Sequence, residues 1–121
     1  MPPKSALPWV GLLAIWGVAI GLALIGLGDV PLRDFDEGTV ARVALELSQG
    51  QGEAVLLPTL WGEPYLNKAP GLHSLIGLVI RLGSDTQQRP SEGLVRLVPA
   101  LLSSLVVPLG GLLQWRLRQG E

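Results

Sequence analysis

Residues Leu7 to Leu27 read LPWVGLLAIWGVAIGLALIGL, a run without one charged side chain. An α-helix needs about 20 apolar residues to cross roughly 30 Å of hydrocarbon, so the run predicts a transmembrane helix over 7–27. A cleavable signal peptide would have a shorter apolar core, about 7–15 residues, and an A-x-A-like site after it. Here the run closes on Ile25, Gly26, Leu27 and Gly28, which predicts a retained anchor. Leu94 to Trp115 is a second apolar run, broken only by Arg96 in its first turn and by Ser103 and Ser104. It predicts a second span over 94–115, with Pro99 and Pro108 as kink points that neighbouring helices accommodate.

The rest of the composition agrees with a bilayer protein. In 121 residues, 48% are hydrophobic, well suited to a chain that buries little in water. Nine Lys and Arg against ten Asp and Glu give no basic field to gather nucleic acid. There is no cysteine and a single histidine, which removes disulfides, thiolate ligands and a histidine metal site. Lys4 before the first run and Arg116 and Arg118 after the second place both short tails, 1–6 and 116–121, in the cytoplasm by the positive-inside rule. The 28–93 segment then lies outside the cytoplasm. Gly17 and Gly21 in the first run, and Ala100 and Ser104 in the second, have the small-xxx-small spacing that lets helices approach closely.

Within 28–93, Arg33-Asp34-Phe35-Asp36-Glu37 concentrates four charges at the exit of the first span. Val40, Val43, Ala44 and Leu47 then recur at helical spacing opposite Thr39, Arg42 and Glu46, with Gly50 as the stop. This predicts an amphipathic helix near 37–49, capped by Asp34 or Asp36, with Glu37 three residues after Asp34 as in a capping box. Gln51 to Asn67 has two prolines and no sustained period, and reads as a loop with at most a short extended piece. Its Trp61 and Tyr65 suit a membrane interface. A second short helix is predicted near 70–82, with Pro70 at N1 and a surface or re-entrant placement, followed by a polar linker over 84–93. The fold class is therefore an all-α membrane protein, with two transmembrane helices joined by a long extracytoplasmic loop that carries one or two juxtamembrane amphipathic helices against membrane lipid.

Two places in this loop have chemistry of their own. Asp36 and Glu37 are carboxylates able to take a proton from a hydroxyl, or else ordinary acids at a helix N-terminus, worth about 0.3–1 kcal/mol against the macrodipole. Lys68, just before a helix that begins at Pro70 and Gly71, joins an ammonium to free N–H groups, a phosphate-binding arrangement. Its bland alternative is a lysine snorkelling to headgroups. His73 follows one turn later as a polar face residue or a ligand.

Taken together these residues resemble the GT-C-type polytopic glycosyltransferases related to protein O-mannosyltransferases and aminoarabinose transferases. The resemblance runs from Leu7 to Arg118. It rests on the uncharged first span, Arg33-Asp34-Phe35-Asp36-Glu37-Gly38, the helix closed by Ser48-Gln49-Gly50, the stretch from Leu57 to Pro70 (LPTLWGEPYLNKAP), and Val95-Arg96-Leu97-Val98-Pro99-Ala100. It implies a transferase that moves a sugar from a polyprenyl-phosphate donor to an acceptor hydroxyl, in a multi-pass protein of the bacterial inner membrane. In that family Asp36 would be the base and Glu37 its support, and Lys68 with Pro70 would meet the lipid phosphate, Ala69 standing where relatives have proline. Some relatives place an arginine three residues after the aspartate; Thr39 stands there in this chain, and Arg42 is the nearest basic residue, with His73 as a further substrate contact. Family members have about a dozen spans, so the chain is expected to be an N-terminal piece of a larger enzyme, inactive without further helices or another subunit, because two helices cannot wall a donor cavity. Two adjacent acids fall far short of the roughly 6–8 oxygens of a hard-cation site, so no metal site is expected, and the sequence is silent on whether a divalent ion takes part. The alternative is a small two-span membrane interaction protein without catalysis.

Overall fold

The computed structural model describes residues 8–33, 35–50, 56–83 and 90–119. The tail that carries Lys4, the expected cap at Asp34, the first part of the 51–67 loop and most of the 84–93 linker lie outside the described residues. The chain is mostly helical: α1 (Trp9–Leu24), α2 (Asp36–Gln49), α3 (Gly71–Gly83), α4 (Glu92–Ser104) and α5 (Val106–Gln119), with a small hairpin of β1 (Thr59–Leu60) and β2 (Glu63–Pro64) between α2 and α3. It divides into two compact units, Met1–Ile25 with Ala100–Glu121, and Gly26–Pro99.

In the first unit, α1 is apolar on every side and none of its residues is buried. A helix that is hydrophobic all round belongs in a protein core or a bilayer. It is shorter than the 7–27 run predicts. The Leu12 N–H donates to the Pro8 carbonyl at 3.0 Å to open it, and it ends where Ile25 turns extended and Gly26 takes φ 67°, a left-handed conformation that suits glycine. At 1.5 Å per residue its 16 residues reach about 24 Å.

The expected span over 94–115 is longer and jointed. Glu92–Gln119, 28 residues, is the one helix among the described residues long and apolar enough to cross a membrane, where the sequence predicts two. Its joint is at Leu105, whose N–H donates back to Leu102 at 3.2 Å. Pro108 explains the joint, since it has no N–H for the Ser104 carbonyl four residues earlier and its ring crowds that carbonyl. Pro99 lies within α4 without interrupting it. α1 packs on α5, and the close approach is not at the predicted glycines. A Cβ at Gly17 or Gly21 would meet nothing within 4 Å, whereas one at Gly111 would lie 2.5 Å from a Leu12 methyl. Ser104 does take part: Trp16 Nε1 donates to its hydroxyl at 3.1 Å, and that hydroxyl donates to the Leu101 carbonyl at 2.7 Å.

In the second unit, α2 lies against α3 around Gly77. A Cβ there would be 2.8 Å from the Ala44 carbonyl, so only glycine permits the approach. Ala41, Ala44 and Leu45 from α2, Ile76 and Ile80 from α3, and Val95 and Val98 from α4 form the core. The buried face of α2 is thus broader than the four predicted positions, taking in Ala41, Leu45 and Ser48 as well. α3 does not simply lie on a surface: one side is packed in this core, while Leu72, Leu75, Leu78 and Leu82 stay exposed. Gly50 ends α2 with extended backbone rather than a left-handed cap, its N–H donating to Glu46 and Leu47.

Candidate functional site

The turn into α2 sets two neighbouring carboxylates in different surroundings. Gly38 N–H donates to the Arg33 carbonyl at 3.0 Å, and Phe35 takes φ 80°, an uncommon conformation for a bulky residue. Glu37 reaches back to accept from the Arg33 N–H at 2.9 Å, as the acid of a capping box would, although the helix opens at Phe35. The same carboxylate receives Arg96 Nε at 3.2 Å and Nη2 at 2.8 Å. Arg96 also donates Nη1 to the Leu27 and Val30 carbonyls at 3.1 and 2.6 Å, and Nη2 to that of Pro31 at 3.1 Å. One guanidinium therefore ties the exit of the first apolar run, the start of α2 and the start of α4. The Arg96 hydrogen bond, followed by that from the Arg33 backbone, lowers the Glu37 pKa to about 2. Glu37 is an anionic anchor, unsuited to accepting a proton near neutrality.

Asp36, one residue earlier, is 94% exposed and takes no part in that clamp. Its Oδ1 lies 3.7 Å from Lys68 Nζ, itself 53% exposed. An exposed pair of this kind is worth about 0–1 kcal/mol, so either partner is readily drawn to another ligand. Pro70 serves as the residue before α3 rather than its first, its carbonyl accepting from Ser74 N–H at 2.8 Å. The two sequence-predicted residues of opposite charge, far apart in the chain, are thus side by side.

The hairpin that leads to Lys68 is held by Glu46. Thr59 pairs with Pro64 and Leu60 with Glu63, leaving Trp61 and Gly62 as a two-residue turn with φ 58° and 83°. Positive φ at both central positions is the type I′ pattern, which suits strand twist. The Glu46 carboxylate accepts from the Thr59 hydroxyl at 2.5 Å, Trp61 N–H at 2.9 Å, Gly62 N–H at 3.2 Å and Arg42 Nε at 2.7 Å. Burial pushes its pKa up, but the hydrogen bonds from Thr59, Gly62, Arg42 and Trp61 outweigh it and the net shift is downward. Arg42 is committed here too, its guanidinium 4.2 Å from the centroid of the Trp61 ring. It does not join Asp36 and Lys68 in any ion pair among the described residues.

His73 is only 2% exposed, so it is closed to a soluble phosphate. Its ring meets Tyr65 edge-on at 6.1 Å, and both its nitrogens lack a hydrogen-bond partner among the described residues. The two residues that sequence reasoning passed over, Arg96 and Glu46, each left a trace. Arg96 is the one charge inside an apolar run, which calls for a partner, and Glu46 stands four residues after Arg42 on a helix. Their partners lie in distant segments, so neither trace named them. Among the described residues no three His, Asp or Glu side chains converge as metal ligands would. No known protein family, no curated protein and no solved structure matches this chain.

Proposed function

We propose that this chain is the N-terminal part of an integral-membrane glycosyltransferase that moves a sugar from a polyprenyl phosphate to an acceptor hydroxyl. The observation that carries this reading is the exposed Asp36 and Lys68 pair, 3.7 Å apart. Lys68 holds the donor phosphate, assisted by the free N–H groups at the start of α3. Asp36 then loses its ammonium partner and takes the proton of the acceptor hydroxyl, whose oxygen forms a bond to the anomeric carbon as the carbon–phosphate oxygen bond breaks. The departing lipid phosphate keeps the electron pair, stabilised by Lys68. Glu37 fixes the first turn of α2, and with it the backbone of Asp36, through Arg96.

In this reading α1 and Glu92–Gln119 both cross the bilayer with the two ends of the chain cytoplasmic, supported by their apolar faces and by Arg116 and Arg118 in the last turn of α5. Transfer requires further helices to wall the donor. In membranes that contain the chain joined to those helices, Asp36→Asn abolishes transfer from a polyprenyl-phosphate sugar while Glu46→Asp retains part of it. Unchanged turnover in Asp36→Asn removes the proposed base. The exposed leucine stripe of α3 favours a second reading, a membrane-bound interaction protein, in which neither Asp36 nor Lys68 affects any transfer.

A further inference from the structure

A cleft of about 670 Å³ opens beside α2, lined among others by Gly38, Arg42, Leu45, Trp61, Ser91 and Glu92. Its size is that of a small-molecule site, and its wall mixes apolar surface with a few polar groups. We infer that this cleft binds a neutral, hydroxyl-rich ring, a pyranose, with Trp61 as its platform.

Three observations point to that class of ligand. The first is Trp61 itself. The first position of a type I′ turn favours Asn, Asp or Gly, and a bulky side chain at φ 58° is costly. Yet an indole stands there, 73% exposed, its one recorded ring partner being the Arg42 guanidinium. A large aromatic ring held in an unfavourable turn and left uncovered contributes little to folding, but offers a flat apolar surface to the C–H face of a sugar.

The second is charge. Arg42 is neutralised by Glu46 at 2.7 Å, and Glu92 makes no ion pair within 4.0 Å among the described residues. Among its described lining residues the cleft thus presents no unpaired cation, which disfavours phosphates and nucleotides, and Glu92 is a carboxylate that can accept hydroxyl hydrogens. Ser91 contributes a hydroxyl that already accepts from Leu94 N–H at 3.3 Å and can still donate.

The third is the rigidity of the wall. Glu46 fixes the turn through the backbone N–H groups of both Trp61 and Gly62 and fixes Arg42 by its Nε, so platform and cation are set in place before any ligand arrives. Identifying the ring as the sugar of a transfer reaction rests on the proposed function; its binding in the cleft does not.

The test uses the whole chain in detergent micelles, labelled with ¹⁵N-tryptophan, so that each of the four indoles gives one N–H signal and Trp61→Phe assigns its own. A neutral methyl hexopyranoside is titrated, with inorganic phosphate and anionic phospholipid vesicles as separate probes. The expected result is a saturable shift of the Trp61 signal with the glycoside, weakened about tenfold by Glu92→Gln with the helical content unchanged. Lys68→Ala and Asp36→Asn leave that shift intact, which separates the cleft from the transfer reading. The inference is overturned if the glycoside moves no signal, if phosphate binds the cleft more tightly than the glycoside, or if only vesicles shift Trp61, which would make it a membrane anchor.

Discussion

The two units of the chain are stabilised in opposite ways. In Gly26–Pro99 a small buried core is reinforced by two polar hubs, Arg96 with five hydrogen bonds to Glu37 and three carbonyls, and Glu46 with four donors. In the pair of α1 and α5 no residue of either helix is buried, and α1 has a polar tie in the bond from Trp16 to Ser104 at the end of α4. The first is a domain that positions side chains. The second exposes leucines, valines and Trp9 and depends on its solvent, because apolar surface left in water has no counterpart to bury against. Chemistry belongs to the unit that can hold a charge in a chosen place.

That contrast can be broken most strongly at Arg96. Arg96→Met removes the donor to the Leu27, Val30 and Pro31 carbonyls and the side-chain partner of Glu37, and is expected to lower the denaturant midpoint of Gly26–Pro99 further than any other substitution named here, read from unfolding in micelles. Gly77→Val is next: its side chain meets the Ala44 carbonyl, and an expected loss of about 1–3 kcal/mol appears as reduced amide protection in α2 and α3. In the other unit, Ser104→Ala removes the bond from Trp16 along with the hydroxyl's own bond to Leu101 and costs only about 0.6 kcal/mol, measured by thermal unfolding in the same micelles.

Acid sharpens the comparison. The folded pKa of Glu37 is depressed to about 2 from 4.5, so its stabilisation is complete above pH 4.5 and is lost as pH falls from there towards 2. Stability of the 26–99 unit should fall across that window, and Glu37→Gln should flatten the part of the fall that belongs to this group. A fall of equal size in the variant assigns the acid sensitivity elsewhere. The smallest effect on stability is expected at Asp36, whose exposed pair is worth at most about 1 kcal/mol; Asp36→Asn should unfold at nearly the native denaturant concentration.

Local patterns in the chain predicted helices near 37–49 and 70–82, and the structure has Asp36–Gln49 and Gly71–Gly83. Apolar spacing and turn residues are local signals, and short helices depend on them. The boundaries of the first apolar run were not legible, because Gly26 ends α1 by a backbone conformation that hydropathy does not register. The joint at Leu105 was legible in part, because Pro108 was an expected kink point, whereas Pro99, expected likewise, leaves α4 uninterrupted. Within the site, Asp36 and Lys68 stood out as residue types, but their proximity depends on the fold of α2, the hairpin and α3 together. The type I′ turn was hidden by Trp61, which occupies a position where Asn would have announced it. The separation of Asp36 from Glu37 into a free acid and an anchored one was also invisible, since it is made by an arginine from another helix.

The most direct test of the account measures binding of a polyprenyl phosphate to the chain in micelles, by ³¹P line broadening, in Lys68→Ala and Asp36→Asn side by side. Because Asp36 competes with the phosphate for one ammonium group, the two variants should move affinity in opposite directions, Lys68→Ala weakening it about tenfold and Asp36→Asn strengthening it by a few-fold. Equal weakening in both, or no change in either, would contradict a phosphate held at Lys68 beside a competing carboxylate.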